Sequence, residues 1–441
     1  MTRTLIIDCN TKVGEDVKIA GWVHTRRDHG KVVFLDVSDR SGVIQVVAKG
    51  EGASGLHPQD VVSVEGKIAK RPADLVNPGL ETGSIELHSD KIEVLAKAAE
   101  LPFDMGGKEL DLNLPVLLDY RSLTLRHPKA RAVFKVQETI ATAFRNTLKA
   151  EGFTEVFVPT IVPVATEGGA EVFKIRYYDK NAYLAQSPQL YKQMLTGVFE
   201  RVFTIAHAYR AEPSVTTRHL SEYISLDAEM GYIESYHQLM DVVEKVIKGI
   251  FAAVERDNRA ELDLFGVDLP ELNRPFPKIK MREAQRIVFE QTGRDRRDEP
   301  DLDPADEKEI CRWALEQHGV PFVFVTHYPT KKRPFYTFPD PEDPEYTLSF
   351  DLLGMQEEWV TGSQRINDYQ ELLDHIKKWG NKPEDFEMYL QAFKYGMPPE
   401  GGFAMGLERI TKDILGLTNV REASLFPRDM ERIDIRLPAT K

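Results

Sequence analysis

The stretch from Val202 to Ile233, VFTIAHAYRAEPSVTTRHLSEYISLDAEMGYI, limits the possible folds more than any other part of the chain. Both ends are rich in β-branched and aromatic residues, and the second alternates apolar with polar or acidic side chains. That pattern predicts strand, polar loop, strand. Arg210 and Glu212 stand where the first arm ends, and Arg218 and His219 sit in the loop beyond Pro213. On the second arm Asp227 and Glu229 are two residues apart and so share one face. Guanidinium groups are permanently charged and fork-shaped, so arginines at the base and tip of a hairpin suit a triphosphate approached from two directions. A carboxylate beside Arg210 could accept a hydrogen bond from a base amine. Taken alone, the stretch fits a charged surface hairpin equally well.

A chain of 441 residues exceeds what one domain usually holds, so two domains are expected. Its hydrophobic share of 42% and charged share of 29% are ordinary for a soluble protein. Cys9 and Cys311 are too few for a disulfide framework or a cysteine zinc site. The start, MTRTLIIDCN, has no long apolar run, and no later segment reads as a bilayer span. The expectation is a cytoplasmic enzyme without a membrane partner. A net charge of −13 argues against a protein coated in basic surface for non-specific nucleic-acid binding, although a local basic groove would suffice.

From Asp16 to about Leu95 the chain reads as five short strands, VKIAGWV, KVVFLDVSD, GVIQVVAK, DVVSVEGKIAK and SIELHSDKIEVL, separated by Gly, Asp and Pro. Five strands in so short a span predict a small barrel, most economically an OB-fold. Such barrels bind single-stranded nucleic acid by stacking and by phosphate tracking. His24, Arg26, Arg27, Phe34 and Gln45 are candidates, with a core role for Phe34 the alternative. Leu101 to Arg126 reads as a connector. Ala130 to Glu151 carries Val133, Val136, Ile140, Phe144 and Leu148 at helical spacing, and GFTEVFVPTIV then predicts a strand with Pro159.

The Gly pair of TEGGAEVF predicts a mobile flap beside Glu167. In AYLAQSPQLYKQML, Gln189 and Lys192 are three apart and share a helix face. Glu234 to Arg259 reads as an amphipathic helix, and residues 261–321 carry no functional signal. PFVFVTHYPTKKRPFYTF predicts a strand, a turn and a second strand. SFDLLGMQEEWVTGSQR brings Asp351, Glu358, Thr361 and Arg365, where carboxylate plus hydroxyl suits magnesium bridging phosphates and Arg365 offers a carboxylate clamp. A surface ladder of ion pairs is the plainer alternative. In YGMPPEGGFAMGLERITKDILGL a Gly-rich turn leads into a helix whose first turn carries Glu408 and Arg409, an anion-favouring arrangement.

RAE, TTRHL and DAEM together resemble the second signature motif of class II aminoacyl-tRNA synthetases, in the wording of the aspartyl/asparaginyl branch. The long helix with strand and Pro159 resembles motif 1, and the glycines before Glu408 and Arg409 resemble motif 3. RSLTLRHP and NVREASLFPRD complete a likeness that covers essentially the whole chain. QSPQLYKQ is similar to the aspartate-binding segment of the archaeal-type aspartyl enzymes, whereas asparaginyl enzymes usually have an uncharged residue in place of Lys192.

That resemblance implies an α+β multidomain fold: an N-terminal OB-fold β-barrel for the anticodon at 1–103, a hinge at 104–130, and a class II catalytic domain at 131–441 built on an antiparallel sheet flanked by helices. It implies ATP and L-aspartate as substrates, Mg2+ as cofactor, tRNA(Asp) as acceptor and a homodimer formed through motif 1. By resemblance Arg210 holds the α-phosphate and the substrate carboxylate, and Glu212 meets the adenine amine. The flanking Ala211 and Leu220 would line the ATP site, as would Gly406, Leu407 and Glu408 of the motif 3 stretch. Arg218, His219 and Arg409 would hold the outer phosphates, and Glu358 with Thr361 the magnesium. The family usually has serine where Thr361 stands. Lys192 and Arg365 would read the aspartate side chain, with Thr361 nearby, and Gln189, Glu167 and Asp227 its ammonium. His24 and Pro78 resemble the non-discriminating subgroup, which also charges tRNA(Asn), and Phe34 and Gln45 match anticodon positions. Competing readings are an asparaginyl-tRNA synthetase, an asparagine synthetase on the same catalytic domain, and a catalytically silent tRNA-binding paralogue.

Overall fold

A computed structural model describes residues 1–30, 32–49, 52–107, 109–164, 171–213 and 216–437. The chain divides into two compact units, Met1–Asn113 and Leu114–Lys441.

In the first unit, strands β1 (Asp16–Asp28), β2 (Val32–Ser38), β3 (Val43–Lys49), β4 (Val61–Lys70) and β5 (Ile85–Ala96) close a barrel in the order β1-β2-β3-β5-β4. Only β3 and β5 run parallel. Alternate residues such as Ile19, Leu35, Val46, Val64 and Leu87 are buried inside it, as the two-residue period of a strand requires. Closure leaves no unpaired sheet edge.

The second unit begins with two short helices inside the stretch read as a connector, α1 (Leu114–Asp119) and α2 (Arg121–Thr124). Helix α3 (Pro128–Ala150) follows, with Pro128 at its first turn, where the missing N–H costs nothing. An eight-stranded sheet forms the body. Its strands in chain order are β6 (Thr154–Glu155), β10 (Arg201–Tyr209), β11 (Glu222–Gly231), β12 (Lys278–Lys280), β13 (Phe322–Thr326), β14 (Ser349–Gly354), β15 (Glu357–Gln364) and β16 (Glu400–Gly406). They lie side by side as β12-β13-β14-β15-β16-β11-β10-β6. The interior pairs are antiparallel, and parallel pairing occurs only at the two edges. A separate three-stranded sheet holds β7 (Ile161–Val162), β8 (Lys174–Tyr177) and β9 (Lys180–Leu184).

Helix α3 and α5 (His237–Asp257) cover one face of the large sheet. Phe144, Val243 and Ile247 pack there against Phe203, Leu226, Ala228 and Phe403. Since successive strand residues point to opposite faces, Ser225, Asp227 and Glu229 of β11 turn to the other side. Helix α4 (Gln189–Phe199) lies over that side. The segment without a functional signal folds as α6 (Arg259–Phe265), α7 (Met281–Thr292) and α8 (Pro304–His318), and α8 opens on a capping box at Asp303. Helices α9 (Tyr369–Lys378) and α10 (Glu387–Lys394) form a further apolar cluster with Phe335 and Tyr336.

Two elements differ from the sequence expectation. After β13 no second regular strand forms. Isolated bridges, Thr337 with Arg365 and Pro339 with Thr347, take its place. Pro334 and Pro339 lack the N–H that a ladder requires. The glycines before Glu408 form the central strand β16 and not a turn, and α11 (Leu407–Ile414) follows directly.

RSLTLRHP and NVREASLFPRD meet through one side chain. Arg121, 5% exposed, donates to the carbonyl oxygens of Glu422 (2.9 Å), Ser424 (2.7 Å) and Leu425 (2.9 Å). Arg121→Ala removes all three bonds and leaves the acceptors without that donor. It is expected to lower unfolding stability by about 3 kcal/mol in urea titrations; an unchanged midpoint would refute this account of how the C-terminal segment is held.

Candidate active site

The site is built on the acidic face of β11. Lys192 of α4 reaches it and is fully buried, at 0% exposed. Its Nζ donates to Asp227 Oδ2 at 2.8 Å and to the Phe403 carbonyl at 3.2 Å, and lies 3.2 Å from Glu229 Oε2. Ser225 also donates to Asp227. Arg365, just beyond β15, donates from Nε to Glu229 Oε1 at 2.7 Å and from Nη1 to Ser363 Oγ at 2.6 Å. Its Nη2 is 3.5 Å from Gln189 Oε1, and its guanidinium lies over the Tyr336 ring. Burial pushes Glu229 up, but Arg365 and Lys192 outweigh it and hold the carboxylate below its ordinary range. The pairing is obligatory, because an unpaired charge at this depth would cost several kcal/mol.

Above this floor a cavity of about 410 Å³ is lined by Gln189, Lys192, Arg210, Glu212, Arg333 and Arg365, among others. A second cavity of about 210 Å³ is lined by Arg218, His219, Leu220, Gly406, Glu408 and Arg409. Arg210, Tyr223, Ser225, Glu358, Thr361 and Ala404 line both, so the two are chambers of one cleft. Arg210 and Arg409, about two hundred positions apart in the sequence, therefore share it.

The cations are held in different ways. Arg210 is nearly half exposed, stacks over Tyr223 at 5.6 Å and stands 3.8 Å from Glu212. Arg218 is clamped between Glu307 at 2.5 Å and Glu357. Arg409, in the first turn of α11, donates to the Glu358 carbonyl at 2.7 Å and lies 3.9 Å from its carboxylate. His219 bonds Thr216 at 2.7 Å and approaches Glu212 at 3.9 Å, and burial lowers its pKa. Glu358 is pushed up by lost hydration and by the neighbouring Asp351 carboxylate. Burial raises Glu408 to about 7, although both its oxygens accept from the Ile224 N–H at 3.1 Å.

Some candidates stand elsewhere. Asp227 does not line the cleft: its carboxylate is fully buried behind Lys192 and already bonded to that ammonium and to Ser225. It therefore positions the cation and is not free to meet a ligand's ammonium. Leu407 is buried at the start of α11, and Ala211 is half-buried, its N–H bonded to the Glu171 carbonyl. Glu167 and the Gly168–Gly169 pair lie outside the described residues.

Arg333 is a cleft residue that sequence reasoning missed. Its guanidinium lies 4.0 Å over Tyr328, donates to Asp351 at 2.7 Å and to Thr361 at 3.0 Å, and lines the larger chamber. The run Lys331-Lys332-Arg333 was the available signal, but nothing in it says which cation turns inward.

A model of class II tRNA synthetases (D, K and N) matches residues 113–430, and one of OB-fold nucleic acid binding domains matches residues 17–95. The chain belongs to the class II tRNA synthetases. It is similar to the aspartate–tRNA(Asp/Asn) ligase of Deinococcus radiodurans, with 42% identity over 98% of this chain and 99% of that protein. The aspartate–tRNA(Asp/Asn) ligase of Thermus thermophilus is also 42% identical, over 98% of this chain and 99% of its own. Among solved structures, asparaginyl-tRNA synthetase from Pyrococcus horikoshii complexed with asparaginyl-adenylate superposes with a TM-score of 0.88. It is 33% identical, and the match covers 98% of this chain and 99% of that one.

In the synthetase's barrel Phe34 is half-buried on the outer face, outside the apolar interior. Beside it Arg27 donates to Asp36 at 3.1 Å and to Gln45 at 3.3 Å, and Gln45 donates to Glu86 at 3.0 Å. His24 is half-buried on β1, and Pro78 is exposed in the loop before β5.

Lys192→Met leaves Asp227 and Glu229 short of a cation and is expected to cost the synthetase roughly 3–5 kcal/mol in urea unfolding. Adding Asp227→Asn should recover part of that loss. A double variant no more stable than the single one would break the assignment of Asp227 as the partner of Lys192.

Proposed function

We propose that this synthetase is an aspartate–tRNA ligase. Aspartate's α-carboxylate attacks the α-phosphorus of ATP, pyrophosphate leaves, and the terminal hydroxyl of tRNA takes the aspartyl group from the adenylate. The observation that carries the reading is the floor of the larger chamber, where Lys192 and Arg365 converge. Two cations there favour a side-chain carboxylate. An amide would turn its N–H donors toward these donor cations, which is why the asparaginyl reading is the weaker one.

No protein nucleophile is required. Arg210, on the wall common to both chambers, neutralises charge at the reacting phosphate, and Arg409 the outer phosphates. Arg218 joins them on leaving Glu307 and Glu357. Holding the two substrates in adjoining chambers supplies the rest of the rate gain. Glu212 meets the adenine amine. Gln189 remains to bind the substrate's ammonium through its carbonyl Oε1, which accepts only a long 3.5 Å contact from Arg365 Nη2.

Glu358 and Thr361 are hard oxygen donors on the wall between the chambers, a set suited to magnesium, which binds one or two protein oxygens and completes its shell with phosphates. The destabilised carboxylate of Glu358 fits a cation as partner. When bound, the ion would neutralise phosphate charge. Among the described residues no cluster of three or more histidine, cysteine or acidic side chains forms a closed metal cage.

The barrel's outer face, with Phe34 for stacking and Gln45 for a base edge, reads the anticodon. Relaxed choice between tRNA(Asp) and tRNA(Asn) is proposed on His24 and Pro78, in keeping with the names of the bacterial relatives. A homodimer forms through the motif 1 segment, where Phe157 is 85% and Ile161 45% exposed. No helix among the described residues is long and apolar enough to cross a membrane, which suits work in the cytoplasm.

Amino-acid-dependent pyrophosphate exchange tests the chemistry: aspartate should exceed asparagine by roughly 1,000-fold or more in kcat/KM. Arg210→Ala and Arg409→Ala should each lower the aspartate value by about 100- to 1,000-fold. Preference for asparagine would overturn the reading. Charging the two purified tRNAs decides acceptor choice, and absence of product on tRNA(Asn) would reject relaxed specificity. Phe157→Asp should shift the protein from dimer to monomer in analytical ultracentrifugation.

A further inference from the structure

A third carboxyl lies beneath the aspartate pocket. Glu400, the first residue of β16, is 0% exposed. Gly231 of β11 faces Glu400 across the ladder and Gly402 faces Glu229, so Glu400 and Glu229 are diagonal neighbours on one face of the sheet. The two carboxyls lie within hydrogen-bonding reach of each other. Two ionised carboxylates cannot bond, so one must carry a proton. Glu229 already serves Arg365 and Lys192 as counter-ion. Glu400 accepts from Gln193 Nε2 at 2.7 Å, and its Oε2 has no protein donor among the described residues. Burial first, and then the charge of Glu229, raise Glu400 well above the ordinary carboxylate range.

Further groups close around it. The Tyr389 hydroxyl of α10 donates to Gln193 Oε1 at 3.2 Å, and the Arg365 N–H donates to the Glu400 carbonyl at 2.9 Å. A relay thus runs from Tyr389 through Gln193 and Glu400 to Glu229, and there meets Arg365 and Lys192. A β-carbon at Gly402 would fall 2.0 Å from Glu229 Oε2, so the absence of a side chain there lets Glu229 occupy this place.

We infer that Glu400 is a positioning residue for amino-acid specificity: as a neutral acid it donates its proton to Glu229 and so fixes Arg365 and Lys192 for the substrate's side-chain carboxylate. The charge count requires the neutral form. With Glu400 neutral, Asp227 and Glu229 balance Lys192 and Arg365, and the floor can accept one more anion. With Glu400 ionised the floor would carry an excess negative charge and repel aspartate.

This role rests on the pocket taking aspartate, so the parent protein's aspartate-dependent pyrophosphate exchange is measured first; its absence would reject that reading and not this one. Glu400→Gln keeps an acceptor for Gln193 and a donor for Glu229, and should hold the KM for aspartate within about threefold of the parent. Glu400→Met fills similar space without the donor. It should raise that KM by about 10-fold or more while the KM for ATP stays unchanged. Should Glu400→Met fail to fold, Gln193→Met cuts the relay one step earlier and should raise the aspartate KM in the same selective way. The inference is overturned if Glu400→Gln loses as much as Glu400→Met, if the methionine variants leave the aspartate KM unchanged, or if both KM values rise together.

Discussion

The structure depends on charge that water cannot reach. Lys192, Asp227, Glu229, Arg365 and Glu400 come from α4, from two strands and from the segment beyond a third, and all are buried. Removing an ion from water costs several kcal/mol, which only its partners offset. Each of these elements therefore brings a group that would be destabilising alone. Asp227 needs Lys192, Arg365 needs Glu229, and Glu229 can approach only because residue 402 has no side chain. The network ties β11, β15 and β16 to α4 and places two cations at the floor of a cavity.

The cleft above follows the same rule with looser geometry. Arg218, Arg333 and Arg409 all carry acidic or carbonyl partners within the protein itself. Their charges are compensated without being spent, because a polyphosphate offers stronger and more numerous acceptors than a single carboxylate. Arg210 is the most exposed of the four and stands on the wall common to both chambers, where two substrates would meet. On the proposed reading this arrangement makes catalysis a matter of positions and fields, with no covalent step on the protein.

Much of this was legible in the sequence because strands and helices have short, fixed periods. The barrel strands appear as alternation, α3 as apolar residues three and four apart, and the hairpin of β10 and β11 as two β-rich arms around a polar loop. The same periodicity put Asp227 and Glu229 on one face, and Gln189 with Lys192 on another. It could not say that Asp227 would bond Lys192 and leave the cavity wall. Nor could it choose Arg333 from three adjacent cations, or see that the glycines before Glu408 form a central strand. Those outcomes depend on which strand lies next to which, and neighbours such as β11 and β16 are separated in sequence by about half of the second unit.

The sequence by itself determined most of the elements, the barrel and the kinds of chemistry available, since local periodicity and side-chain type suffice for those. Tertiary structure alone decided which charges face each other, because burial and partner choice arise only when distant segments pack. A carboxyl such as Glu400 has no character until its neighbours are known: the same glutamate is an ordinary surface anion in water and a proton donor beside Glu229.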